Sequence, residues 1–488
     1  MNSPSDLGSA LDYTSSRAIR EVASPQDKLI KLSLGDEIPR PILEILERMA
    51  DLPFVDSVLA LPDVHWKEQM EVPSSISVTT RNIVVPEFTS MAVNDGMGVV
   101  RTGLKVEDMS PERLEAFFTR VNSHAAANFY DTNRYSISPD ELRRVLYEGA
   151  RGLLARYGMD ESMLERIEDG GRYPSTTLGN GSLTEMVPIQ MLTKFSRSEM
   201  GLNFGGNHFL EVQAVDEVLD EDVARRWSFE RGQVVVMYHL GPGPLGGTLL
   251  NHYSRRTKLQ SSRVPLFFFS KLLFHYVQRM GRGAVGKKWG VHFRQNGWTP
   301  LPAESEEGIL IRRAMAMAIN YGYGYRLGTI RAIRDGLHEA ISPTLSGELF
   351  CDITHNGAAE TSSAEGFSWI ARHNACPLEH GKPTIVAGSC DVHSYLGIGG
   401  GGISSRLNSY DHGAGNLIEH YREAGRLSEV PGGVLRFRMT RGRQAILKSR
   451  KEIPLRTSEP IDRLMECFEQ HGIMRPVLKL RPLGNLKN

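Results

Sequence analysis

Phe204-Gly205-Gly206-Asn207-His208-Phe209-Leu210-Glu211-Val212 is the stretch on which the reading of this chain turns. Two glycines open it, a polar pair follows, and an apolar run from Phe209 to Val215 closes it. That order predicts a tight loop delivering Asn207 and His208 to the mouth of a strand. The arrangement recurs at His65 in Pro62-Asp63-Val64-His65 and at His239 in Tyr238-His239-Leu240-Gly241. It appears again at His355 in Thr354-His355-Asn356-Gly357, His393 in Asp391-Val392-His393-Ser394 and His412 in Asp411-His412-Gly413. Neutral imidazole is the commonest transition-metal ligand. Glycine lets backbone amides approach phosphate oxygens closely. One histidine beside a glycine is more often a hydrogen-bonded loop residue; six of them in strand-end loops point to a shared metal and phosphate site.

Working outward, strand-like runs fall at Ser75–Val85, Phe209–Val215, Gln233–His239, Leu349–Thr354, Pro383–Ala387 and Val434–Met439. Helix starts are signalled at Ser110-Pro111-Glu112 and at Ser138-Pro139-Asp140-Glu141, the second with a capping box. Residues 305–340 should be mostly helical, weakened locally by Tyr321-Gly322-Tyr323-Gly324-Tyr325. The apolar stretch Val264–Val277 is too short to span a bilayer and reads as a buried helix or strand. Helices and strands intermix without a steady alternation, which predicts an α+β (irregular α/β) fold. The expected organisation is a loosely ordered segment over residues 1–26 followed by one large domain over 27–488. Helical insertions are expected near 107–200 and 255–345.

The chain has 488 residues, with 57 Lys and Arg against 57 Asp and Glu. No global basic field attracts nucleic acid, so contact with it must come from a local patch. Candidate patches are Arg255-Arg256-Lys258, Lys287-Lys288 and Arg441-Arg443, with Tyr253, Trp289 and Trp298 nearby to stack on bases. The four cysteines, Cys351, Cys376, Cys390 and Cys467, form no C-x-x-C pair and fit a reduced, cytoplasmic protein. The first residues lack the apolar segment of a signal peptide.

The motifs together resemble the RtcB family of RNA ligases. Leu61-Pro62-Asp63-Val64-His65 resembles the family's M-P-D-V-H, and Phe204–Val212 its G-S-G-N-H-F-L-E-V. Asp352-Ile353-Thr354-His355-Asn356 resembles D-V-A-H-N, and Asp411-His412-Gly413-Ala414-Gly415 resembles part of H-G-A-G-R. Gly388-Ser389 with Ser394-Tyr395, and the terminal Leu480-Arg481-Pro482-Leu483-Gly484 through Lys487, complete the series in the same order. The resemblance implies an enzyme joining RNA 3′-phosphate or 2′,3′-cyclic phosphate ends to 5′-hydroxyl ends with GTP and Mn2+, in RNA repair or tRNA splicing. His208, His239 and His355 match metal ligands, and His412 matches the histidine that becomes guanylylated. Asn207, Phe209, Glu211, Asn356, Ser389, Ser394, Gly413, Gly415 and Lys487 match positions around the nucleotide.

The departures sit in the chemistry. Aligned without a gap, Asp95, itself a hard oxygen donor for manganese, stands for the family's bridging cysteine and Ala92 for a liganding aspartate; with a small register shift Asp95 is instead the surviving aspartate and the cysteine is the residue lost. Gly243 and Asn416 stand for two arginines, and Cys390-Asp391-Val392-His393 replaces the M-G-T-A of the nucleotide loop. Two alternatives therefore stand beside ligation. One is a divergent metal-dependent nucleotidyltransferase or phosphatase acting on RNA ends. The other is a non-catalytic RNA-end-binding homolog.

Overall fold

Gln233–Leu240 is buried at every position, a β-branched run with no solvent face. Alternate side chains of a strand point to opposite faces. Here Val234, Val236 and Tyr238 join one core while Val235 and Met237 join another. The strand is therefore central, with helices on one side and further structure on the other. It lies in a nine-stranded sheet. Seven strands run in the order Glu348–Thr354, Gly96–Lys105, Gln233–Leu240, Phe209–Val218, Met474–Lys487, Ser394–Gly399 and Pro383–Val386. A hairpin, Glu429–Thr440 with Ile446–Arg456, joins this sheet through parallel pairing of Leu435–Arg438 with Gly484–Lys487. A second, six-stranded sheet contains Val55–His65, Ser74–Arg81, Gly366–His373 and Asn356–Ser363, with Arg20–Ala23 and Leu29–Ser33 at its other edge.

The computed structural model describes residues 20–23, 28–35, 37–67, 70–123, 132–175, 177–179, 183–189, 191–195, 200, 204, 206–255, 264–280, 289–293, 297–345, 347–363, 366–401, 407–440 and 446–487. Mixed helices and sheets confirm the α+β expectation. Of the segment 1–26, Arg20–Ala23 pairs as a strand with Leu29–Ser33; the rest lies outside the described residues. Most of the basic clusters, including Arg256, Lys287 and Arg441, also lies outside them.

Local signals read from sequence explain several elements. Ser110 caps Pro111–Asn122, and Ser138 with Glu141 forms the reciprocal box that opens Pro139–Glu148. The expected strand Ser75–Val85 is broken at Asn82, whose φ of 56° ends Ser74–Arg81 before Ile83–Val84. The helix Glu306–Ala340 runs unbroken through the Tyr-Gly repeat. Packing outweighs glycine's poor propensity there, because a Cβ at Gly322 would sit 2.3 Å from the Asn94 amide. Val264–Leu273 is a helix, but it is not simply buried. Phe269 (60% exposed), Leu273 (54%) and Val277 (71%) form an outward stripe. No helix among the described residues is long and apolar enough to cross a membrane.

Candidate metal and nucleotide site

The two sheets meet at His355. Glu348–Thr354 belongs to the nine-stranded sheet and Asn356–Ser363 to the six-stranded one, so this histidine occupies the crossover. His239 comes from the end of its central strand, and His208 from the turn before Phe209–Val218. Asp63 and His65 end Val55–His65; His412 lies between Ser409–Asp411 and the helix Gly415–Glu423. Residues spread over 350 positions of chain are thereby gathered.

His239 Nε2 and His355 Nε2 lie 3.2 Å apart. The His355 ring stacks on His412 at 4.4 Å between centroids, and His239 lies 5.7 Å from His412. One ligand atom from each of these three residues falls within 4.8 Å of the others. His208 Nε2 stands 3.4 Å from Asp95 Oδ2, with its ring 5.5 Å from that of His239. Gly241 admits this carboxylate: a Cβ there would lie 1.3 Å from Asp95 Oδ1.

Burial keeps these imidazoles neutral. His239 and His355 are driven well below the usual histidine range by desolvation, then by neighbouring histidines and Lys67. His412 is lowered to about 3 by burial and then by Lys67, against the opposing hydrogen bond to Asn374. His65 falls to about 3 for the same leading reason. Buried His355 Nδ1 has no hydrogen-bond partner among the described residues. Converging lone pairs from neutral imidazoles, with one carboxylate beside them, fit a divalent transition ion.

A lattice of buried polar groups fixes this geometry. Arg326 makes bidentate contact with Asp352 through Nε and Nη2 at 2.8–2.9 Å and donates from Nη1 to the Asn94 carbonyl at 2.6 Å. Tyr238 also donates to Asp352, at 2.6 Å. One guanidinium on the long helix thus ties the turn carrying Asp95 to the strands leading to His239 and His355. His412 is set separately. Its Nδ1–H donates to the Asn374 carbonyl at 3.1 Å, and Asn374 N–H donates to Asn356 Oδ1 at 2.8 Å. A carbonyl only accepts, so His412 is the Nδ1–H tautomer and its lone pair is on Nε2.

A cavity of about 790 Å3 opens beside His412. Asn207, Phe209, Glu211, Ser389, Gly413, Gly415 and Lys487 line it, together with His239. Asn356 and Ser394 lie behind this lining. Asn356 holds Asn374, while Ser394 Oγ accepts from Gly388 N at 3.0 Å and Gln213 Nε2 at 3.2 Å. Glu211 is pushed up to about 7 by burial, although Gln213 and Asn485 donate to its two oxygens at 2.7 Å each. His393 does not join the cluster; its Nε2 pairs with Asp216 at 3.2 Å. In the altered nucleotide loop, Asp391 receives both Arg422 guanidinium nitrogens at 3.0 Å and the Ser389 hydroxyl at 2.7 Å. Asn374, Arg326, Arg422 and Lys67 were missed from sequence. None belongs to a glycine-flanked histidine motif; Asn374, Arg326 and Arg422 act through His412, Asp352 and Asp391, which no local spacing links to them.

A family profile described as tRNA-splicing ligase RtcB matches residues 45–488. The tRNA-splicing ligase RtcB of Thermococcus kodakarensis is 25% identical over 476 residues, covering 91% of this chain and 90% of the relative. The RNA-splicing ligase RtcB of Mycobacterium bovis is 27% identical, covering 90% and 99%. The Pyrococcus furiosus tRNA-splicing ligase RtcB is 25% identical over 81% of this chain, which spans only 40% of that relative's length. With the histidine cluster, the cavity and a match over most of its length, this chain belongs to the RtcB family.

Proposed function

We propose that the protein is an RNA ligase joining 3′-phosphate or 2′,3′-cyclic phosphate ends to 5′-hydroxyl ends, using GTP and Mn2+ through a His412–GMP intermediate. The observation that carries this reading is the tautomer of His412. A buried, neutral imidazole presents Nε2 at a cavity large enough for a nucleotide. The Nε2 lone pair attacks the α-phosphorus, an N–P bond forms, and the bond to the β-phosphate oxygen breaks to release pyrophosphate. A 2′,3′-cyclic end is first opened by water, which adds to phosphorus as the bond to O2′ breaks and leaves a 2′-hydroxyl and a 3′-phosphate; an oxygen of that 3′-phosphate then takes the guanylyl group from His412, breaking the N–P bond and restoring the neutral ring. The 5′-hydroxyl attacks the activated 3′-phosphate and GMP leaves. Asp95, His208, His239 and His355 would hold manganese, which masks phosphate charge when bound. Asn374 and Asn356 keep the ring oriented throughout.

A second reading has its own support. His412 is itself within ligand range of His239 and His355, and neither Gly243 nor Asn416 supplies an arginine. Three converging imidazoles also suit metal-assisted hydrolysis of a phosphate end. Incubation with manganese, GTP and two RNA strands, one ending in a 3′-phosphate and one beginning with a 5′-hydroxyl, separates the two. Joined product dependent on GTP supports ligation. Release of inorganic phosphate without joining supports hydrolysis.

A further inference from the structure

Lys67 lines the cavity with Asp63, His65, His239 and His412, and no motif points to it. Its positive field adds to burial in lowering all four of His65, His239, His355 and His412. Its ammonium makes no hydrogen bond or ion pair with any described residue. The nearby acids are already engaged. Asp63 accepts from Leu417 N at 2.7 Å and Asn416 N at 3.4 Å, and Asp95 faces His208. Of the other cavity cations, Arg422 is held by Asp391 and Arg456 by Glu429 at 3.2 Å, Lys451 is exposed, and Arg436, whose Nε is also unpaired among the described residues, stands with Lys487 on the paired strands Glu429–Thr440 and Met474–Lys487. Asn416 adds a buried Nδ2 donor without a partner on the same wall.

We propose that Lys67, assisted by the Asn416 amide, binds a non-bridging oxygen of the substrate phosphate and holds it beside His412. An ammonium in a poorly solvated pocket with three unused donors gains most from an anion. This assignment rests on the reading of the cavity as a site of phosphate chemistry. It makes Lys67 a catalytic residue, in that its ammonium touches the reacting phosphate.

The test uses the full chain and inorganic pyrophosphate, titrated with manganese present, for the wild type, Lys67→Met and Lys67→Arg. Lys67→Met is expected to bind pyrophosphate about 10- to 100-fold more weakly. Its manganese affinity should stay within about threefold of the wild type, and Lys67→Arg should regain much of the loss. Equal pyrophosphate affinity in wild type and Lys67→Met would overturn the assignment. So would a loss confined to manganese affinity, or failure of the folded Lys67→Arg variant to recover binding. The outcome stands apart from ligation. A wild type forming no nucleotide adduct while Lys67→Met still loses pyrophosphate would sink ligation alone. An adduct formed equally by wild type and Lys67→Met, with unchanged pyrophosphate binding, would sink the Lys67 assignment alone.

Discussion

At the scale of single residues, the proposed nucleotide transfer would depend on which nitrogen of His412 carries the proton. The Asn374 carbonyl fixes that choice, and Asn356 fixes Asn374. Replacing Asn356 with alanine removes a buried acceptor and frees the Asn374 backbone. We expect adduct formation in Asn356→Ala to slow by about tenfold or more, on the order of one net hydrogen bond in the positioning chain. Manganese affinity should stay within about threefold. A parallel loss of both would show that Asn356 supports the whole site rather than the ring. Asp95 makes the opposite prediction. Asp95→Ala should weaken manganese binding at least as much as His355→Ala, measured by calorimetric titration. Unchanged affinity would remove Asp95 from the metal set. Asp95 was legible in the sequence because it sits in a recognisable motif register. Asn374 was not, because its contribution is a backbone carbonyl, which no residue identity announces.

At the scale of elements, the helix Glu306–Ala340 does more than cover the sheet. Arg326 and Asp352 are both almost wholly buried, at 1% and 2% exposure, so the pair survives only because each charge is matched. Arg326→Met would strand the Asp352 carboxylate with Tyr238 as its remaining side-chain donor. We expect a loss of about 3–5 kcal/mol in urea unfolding, the usual cost of breaking a buried pair. A loss below about 1 kcal/mol, smaller than a single exposed pair can contribute, would show that the lock is not structural. The sequence indicated this helix but understated its continuity, since the glycines of the Tyr-Gly run answer to Asn94 and Val145 rather than to helix propensity.

The helical region after residue 243 carries a second set of histidines. His252 and His275 are lowered to about 3 and His292 to about 2, in each case first by burial. Unfolded, each titrates near 6.5, so the unfolded chain binds more protons below that pH. Their contribution is complete above pH 6.5 and is lost as pH falls toward 3. His292→Phe should therefore flatten the acid limb of stability by up to about 1.4 kcal/mol per pH unit between those values. Parallel wild-type and variant curves across that window would contradict the burial argument.

At the scale of the whole molecule, two sheets converge so that a single crossover, Thr354 to Asn356, brings His355 to residues from both. The recurrence of glycine-flanked histidines made the existence of a common site readable. It could not show which histidines meet. His393 sits in a strand-end loop like the others, yet the fold directs it to Asp216. Part of the cavity wall was equally hidden, because Lys67, Arg422 and Arg436 come from three separate elements and share that wall only after folding.

The most direct measurement is covalent labelling. Wild-type protein and His412→Ala are incubated with manganese and GTP labelled at the α-phosphate, denatured, and examined for acid-labile label. The account predicts label on the wild type and none on His412→Ala, with the variant folded and still binding manganese. Label that persists in His412→Ala, or a folded, manganese-bound wild type that takes up none, would contradict it.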